Sequence, residues 1–235
     1  MLLRRITEHV KVQNWTAVAL DLFIVVIGVF IGLQVANWND ARREFAATER
    51  YLVRLEDDLT NMRAQIESEV EFASQLHNGS ILAFRSLRSC EFDPADAEQI
   101  KLTFEAYQTA PAPYVYRTAF DEMMSSGTFA SLPNEALKTK VSALYSSTDR
   151  FAAIVGYFRR DLSAAGQILW KRIDFDFEER DGRLRSTADF DLSQFCDDRE
   201  MQNAVWELAD THGDWINFAT AILQQIDDAI TVLQQ

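Results

Sequence analysis

The chain has 235 residues with only eight glycines and four prolines, a composition that suits a helix-rich folded protein and excludes a disordered or collagen-like one. Its formal charge of −13 lies wholly beyond residue 40, because Arg4, Arg5 and Lys11 balance Glu8, Asp21 and Asp40 before it. So acidic a surface makes nucleic acid and anionic lipid headgroups poor partners for the bulk of the protein.

Residues 1–13 read as a cytoplasmic or interfacial tail. Leu2, Leu3, Ile6 and Val10 share one helical face and Arg4, Arg5 and Lys11 lie largely elsewhere, the pattern of a helix lying on a leaflet or of a short basic tail.

Residues 14–38 read as a transmembrane helix. Between Trp15 and Ala36 only Asp21 and Gln34 are strongly polar, and as a helix that run is about 33 Å long, enough to cross a bilayer core. Trp15 and Trp38 flank it as interface anchors. The apolar run is too long for a cleaved signal peptide, holds an acid, and has no small-x-small site before Asn37, so the expectation is an uncleaved single-pass anchor. Its direct partner is membrane lipid.

The span is one-sided. At 100° per residue from Asp21, Asn14, Ala17, Gly28, Gly32 and Ala36 all fall within about 60° of it. Gly28-x-x-x-Gly32 lets two helices approach closely, and an acid inside a membrane needs a partner or water. This face is the expected helix–helix interface, made with a second copy or with another membrane protein. An alternative gives Asp21 a titrating role in an ion pathway of a larger membrane complex.

Residues 39–235 read as one helical bundle. Phe45, Leu52, Leu55, Leu59, Met62, Ile66, Ala73 and Leu76 follow a 3-4 alternation, with Thr48 and Glu69 at two seam positions. The pattern predicts a helix over about 41–77, a cap or kink at His77-Asn78-Gly79, and a further helix over 80–90. Asp93-Pro94 starts a helix to about 108, the Ala110-Pro111-Ala112-Pro113 run breaks it, and a shorter piece covers 116–124 before the Ser125-Ser126-Gly127 turn.

The seam returns over 134–170 through Leu137, Val141, Leu144, Thr148, Phe151, Val155, Phe158, Leu162, Ala165 and Leu169. It appears again over 198–235 through Met201, Val205, Leu208, His212, Trp215, Ala219, Ile222, Ile226, Ala229 and Leu233. Between them Ile173, Phe175 and Phe177 alternate with Asp174, Asp176 and Glu178 before Asp181-Gly182, which predicts a small β-hairpin near 171–185. The expected fold class is therefore mainly α: a transmembrane helix followed by a long-helix antiparallel bundle, with that hairpin at its far end. The seams close either within one chain or between subunits.

Chemistry is sparse. Cys90 and Cys196 either pair in an oxidising compartment or remain two buried thiols in a reducing one. His212 reads as a packed seam residue. Asp174-x-Asp176-x-Glu178 starts like a calcium loop, but Glu179 stands where such a loop needs glycine. No nucleophile elbow, phosphate loop, dinucleotide fingerprint or zinc-protease motif occurs. The expectation is a protein that is not an enzyme, with no catalytic residue, cofactor or metal.

Two stretches carry a resemblance. Asp21 to Asn39, an acid before Val-Val-Ile-Gly and a close in Leu-Gln-Val-Ala-Asn-Trp-Asn, resembles the N-terminal membrane motif of an uncharacterised bacterial family. Phe120-Asp-Glu-Met-Met-Ser-Ser-Gly127, followed by Leu137-Lys138 and Tyr145, is similar to its second signature. The resemblance implies a single-span, largely helical protein and no assigned activity. A span with an Asp near one end is also similar to the small subunits of flagellar stators and TonB-type motors, whose peptidoglycan-binding domain this chain lacks. Basic residues nearly tie across the span, but a short basic tail resists crossing against the membrane potential. The expected location is the bacterial inner membrane, with the bulk of the chain periplasmic. The expected role is that of a self-associating scaffold, adaptor or sensor.

Overall fold

A computed structural model describes residues 15–112, 114–180 and 182–234. Helix α1 runs unbroken from Trp15 to Ser89. The chain divides into two compact units, one ending at Tyr51 and one beginning at Leu52. In the first, every described side chain from Leu22 to Phe45 is exposed.

In the second unit the buried seam of α1 begins at Leu55 and continues through Leu59, Met62, Ile66, Ala73 and Leu76 to Ala83 and Leu87. Phe45, expected to open that seam, is instead 65% exposed. Seam spacing by itself does not supply a partner, and Phe45 lies before the bundle begins.

The break expected at His77-Asn78-Gly79 does not form. Gly79 stays helical because another chain segment needs its missing side chain: a Cβ there would run into the Thr103 side chain and come within 2.7 Å of the Gln99 carbonyl. The true end of α1 is Cys90, a non-glycine residue at φ 57, whose N–H reaches the Ser86 carbonyl at 2.8 Å.

A return segment follows. The Asp93 side chain accepts from the Ala95 N–H over the 3₁₀ turn Pro94–Asp96, and α2 covers Ala97–Ala106. Helix α3 (Thr118–Ser126) ends on Gly127 at φ +79, and α4 (Thr128–Ser131), one turn that no sequence signal marked, follows at once. Asn134 then caps α5 (Glu135–Trp170) through the Leu137 N–H.

Strands β1 (Asp174–Arg180) and β2 (Arg183–Asp189) pair antiparallel, with Phe175 opposite Ala188 and Glu178 opposite Arg185. The hairpin runs four residues past the expected end, because the Ala188 N–H also donates to Glu105 of α2 at 3.0 Å. Asp198 caps α6 (Arg199–Leu233) through the Met201 N–H at 3.0 Å.

The second unit is an antiparallel bundle. Helix α6 descends along α1: His77 meets the Ala209 carbonyl, Arg63 pairs with Asp227, and the Gln234 amide reaches Glu56. Helix α5 lies antiparallel to α6, with Phe151 against Trp215 and Lys140 paired with Asp228. The return segment also runs opposite to α1, joined by Gln99 to the Gln75 carbonyl and by Arg54 to Glu122. All ten seam residues of α5 are buried within the single chain, and so are the α6 seam residues except half-buried Leu233. Intrachain closure is therefore the geometry seen.

Candidate functional site

The apolar stretch of α1 is an unusual surface. Leu22, Phe23, Val29, Phe30 and Leu33 are each more than half exposed, as is Trp38 at 65%. Among the described residues this is one helix long and apolar enough to cross a membrane. Leaving so many large apolar side chains in water is unfavourable by about 25 cal/mol per Å2, and the segment is compatible with a membrane anchor.

The proposed interface residues stand as follows. A Cβ added at Gly28 or Gly32 would meet nothing within 4 Å, so no contact among the described residues accounts for either glycine. Ala36 lies in the same helix and is exposed. The backbones of Ala17 and Asp21 are helical, while their side chains and that of Trp15 lie outside the described set; Asn14 lies outside the described residues altogether. Just past the apolar stretch, the Arg42 guanidinium sits 5.9 Å from the Trp38 ring, and Arg43 pairs with Asp40 at 3.9 Å. An aromatic ring beside cations is the chemistry expected where a span leaves the hydrocarbon.

At the far end of the bundle Cys90 and Cys196 are joined as a disulfide, linking the end of α1 to the chain just before α6. Beside it Arg172 is held by Asp198 and Glu200, and the guanidinium holds the Asp198 carboxyl below its ordinary range.

The core holds few polar groups. Ser80 donates to the Leu76 carbonyl and Thr148 to the Tyr145 carbonyl, so both are satisfied. His212 is 1% exposed; its Nδ1 meets the Leu208 carbonyl at 2.8 Å, while Nε2 meets no partner in hydrogen-bond geometry among the described residues and the Thr109 backbone lies nearby. Burial pulls its pKa down to about 4, so the ring is neutral near pH 7. His77 lies opposite, on α1, seated against Gly213, where a Cβ would come to 3.3 Å of the ring. Among the described residues no group of three or more His, Cys, Asp and Glu could hold a metal. The alternation at Asp174, Asp176 and Glu178 lies on a strand, not in a loop.

Residues 21–159 match a family of unknown function, DUF6090. The chain belongs to this family. No curated protein and no solved structure matches it. The DUF6090 match takes in the apolar stretch of α1, the whole return segment and most of α5.

The stretch from Phe120 to Gly127 has a structural role in the bundle. Phe120 stacks on Tyr145 with ring centroids 4.3 Å apart and meets Phe129 edge-on. The Tyr145 hydroxyl donates to the Tyr116 carbonyl at 2.9 Å, and Asp58 of α1 accepts from the Ala119 N–H at 3.0 Å, at the start of α3. Gly127 supplies the left-handed turn, and Lys138 reaches the Ala130 carbonyl across it at 3.3 Å. These residues lock the return segment to α1 and α5.

One polar residue escaped the sequence reading as a candidate. Glu69 occupies a seam position of α1, half-buried, with Oε2 shielded from solvent and unpartnered. A carboxylate where a heptad expects an apolar side chain was the available signal.

Proposed function

We propose that this protein is a bitopic membrane protein, anchored by the apolar stretch of α1, which self-associates through a face made of Asn14, Ala17, Asp21, Gly28, Gly32 and Ala36. Its work is that of a scaffold, adaptor or sensor rather than of an enzyme. The observation that carries this reading is the pair of glycines Gly28 and Gly32, on an exposed apolar helix with nothing among the described residues packed against them. In lipid, small residues on one face are what permit close helix–helix packing.

The bundle belongs in an oxidising, extracytoplasmic space such as a periplasm. The Cys90–Cys196 bond supports this orientation, because such bonds persist outside the reducing cytosol. The basic tail at residues 1–13 then remains on the cytoplasmic side. The test of association is chemical crosslinking in lipid vesicles of the full chain and of a Gly28→Ile/Gly32→Ile variant. The variant is expected to lose the crosslinked species; an unchanged yield contradicts the assigned face.

A further inference from the structure

Pro111, which has no backbone N–H to continue a helix, follows soon after the end of α2, and the irregular chain there leaves a cleft against α1. Its volume is about 250 Å3, and its walls are Ser68, Glu69, Phe72 and Ala73 of α1 with Thr109 and Pro111 of the return segment. The lining is mostly apolar, and Glu69 is its one ionisable side chain.

Glu69 is incompletely satisfied. Its Oε1 accepts from the Gln65 amide at 2.8 Å, whereas its Oε2 is buried and accepts nothing. Among the described residues no lysine or arginine pairs with it: Arg63 is taken by Asp227 and Glu67, and Arg159 donates to the Ala110 carbonyl. Behind the cleft lies His212, nine-tenths buried and facing the backbone of Thr109, itself a wall residue. Its neutral ring brings no counter-charge. A half-buried carboxylate without a cation is unfavourable, and burial accordingly pushes the Glu69 carboxyl up from its ordinary value.

We propose that this cleft binds a small organic ammonium ion. The ammonium pairs with the Glu69 carboxylate at the cleft wall, and the apolar body lies against Phe72, Ala73 and Pro111. A bare divalent ion does not fit, because one carboxylate without further acidic or histidine ligands cannot replace its water shell. An anion meets Glu69 head-on, and the strongly acidic protein concentrates cations around it. The site gives the bundle a ligand to sense. It stands apart from the self-association proposed above, since none of its walls belongs to the apolar stretch of α1, so either can fail without the other.

The test uses the full chain in detergent micelles and butylammonium as probe, with butyrate and 1-butanol as controls, read by isothermal titration and saturation-transfer NMR. Butylammonium is expected to bind saturably, and both controls at least about tenfold more weakly. Glu69→Gln keeps the side-chain shape and removes the charge, and is expected to weaken butylammonium by at least about tenfold. Ser68→Phe, at an exposed wall position, is expected to block the cleft and do the same, so the result does not depend on one variant folding. Binding of butylammonium that is equal in the wild type and both variants, or no saturable binding to the wild type, overturns the proposal.

Discussion

Burial sets an acid–base property of the bundle at His212. The unfolded chain takes up the imidazole proton near its ordinary value of 6.5, whereas the folded chain resists it down to about 4. Between those values unfolding binds a proton, so stability is full above the upper value and falls as pH drops toward the lower one. The loss reaches about 3 kcal/mol once both values are passed. Urea unfolding of the wild type and of His212→Gln across this window checks it: the variant's stability is expected to be flatter with pH, and parallel curves contradict the assignment. Glycines make the second residue-scale case. A Cβ at Gly166 would strike the Tyr107 ring, whose hydroxyl accepts from the Trp170 indole at 2.7 Å, so Gly166→Ala is expected to cost about 1–3 kcal/mol by overpacking. Gly156 is exposed in the same helix with nothing within 4 Å, so Gly156→Ala is expected to raise stability by about 1 kcal/mol through helix propensity alone. Thermal melts of the two variants measure opposite signs if the packing is as described.

The disulfide is the strongest constraint between elements. It closes a loop of 106 residues, for which the chain-entropy account gives about 4–5 kcal/mol of stabilisation. Cys90→Ser/Cys196→Ser is expected to lose a comparable amount in denaturant unfolding, and a loss below about 1 kcal/mol contradicts that role. How far the elements were legible in the sequence follows from what sets each one. Helices α5 and α6 were readable to within a residue or two, because their seams are periodic and Asn134 and Asp198 mark their starts. The hairpin was readable from the change to period two. The unbroken α1 was not, since Gly79 is a common cap signal and only its contact with Thr103 and Gln99 shows that it serves packing. The start of the buried seam at Leu55 was equally hidden, because Phe45 keeps the period but has nothing to pack on. Glu69 stood in plain view as a seam position, yet the cleft beside it arises from the irregular return segment and has no local signature.

At the scale of the molecule, a bundle that closes its own seams is joined through α1 to a helical stretch that buries nothing. The charge is divided in the same way, with all of the excess acid beyond residue 40. Such a division is compatible with an apolar stretch that anchors in a membrane and a separate acidic bundle. The proposed work then depends on what the apolar stretch meets, and the proposed partner is a second copy. The most direct measurement is Förster transfer between donor- and acceptor-labelled full-length chains in lipid vesicles, diluted stepwise with lipid. The account predicts transfer above the random-proximity level that persists on dilution and collapses in Gly28→Ile/Gly32→Ile. Transfer that follows random proximity at every dilution, identical in the wild type and the variant, contradicts it.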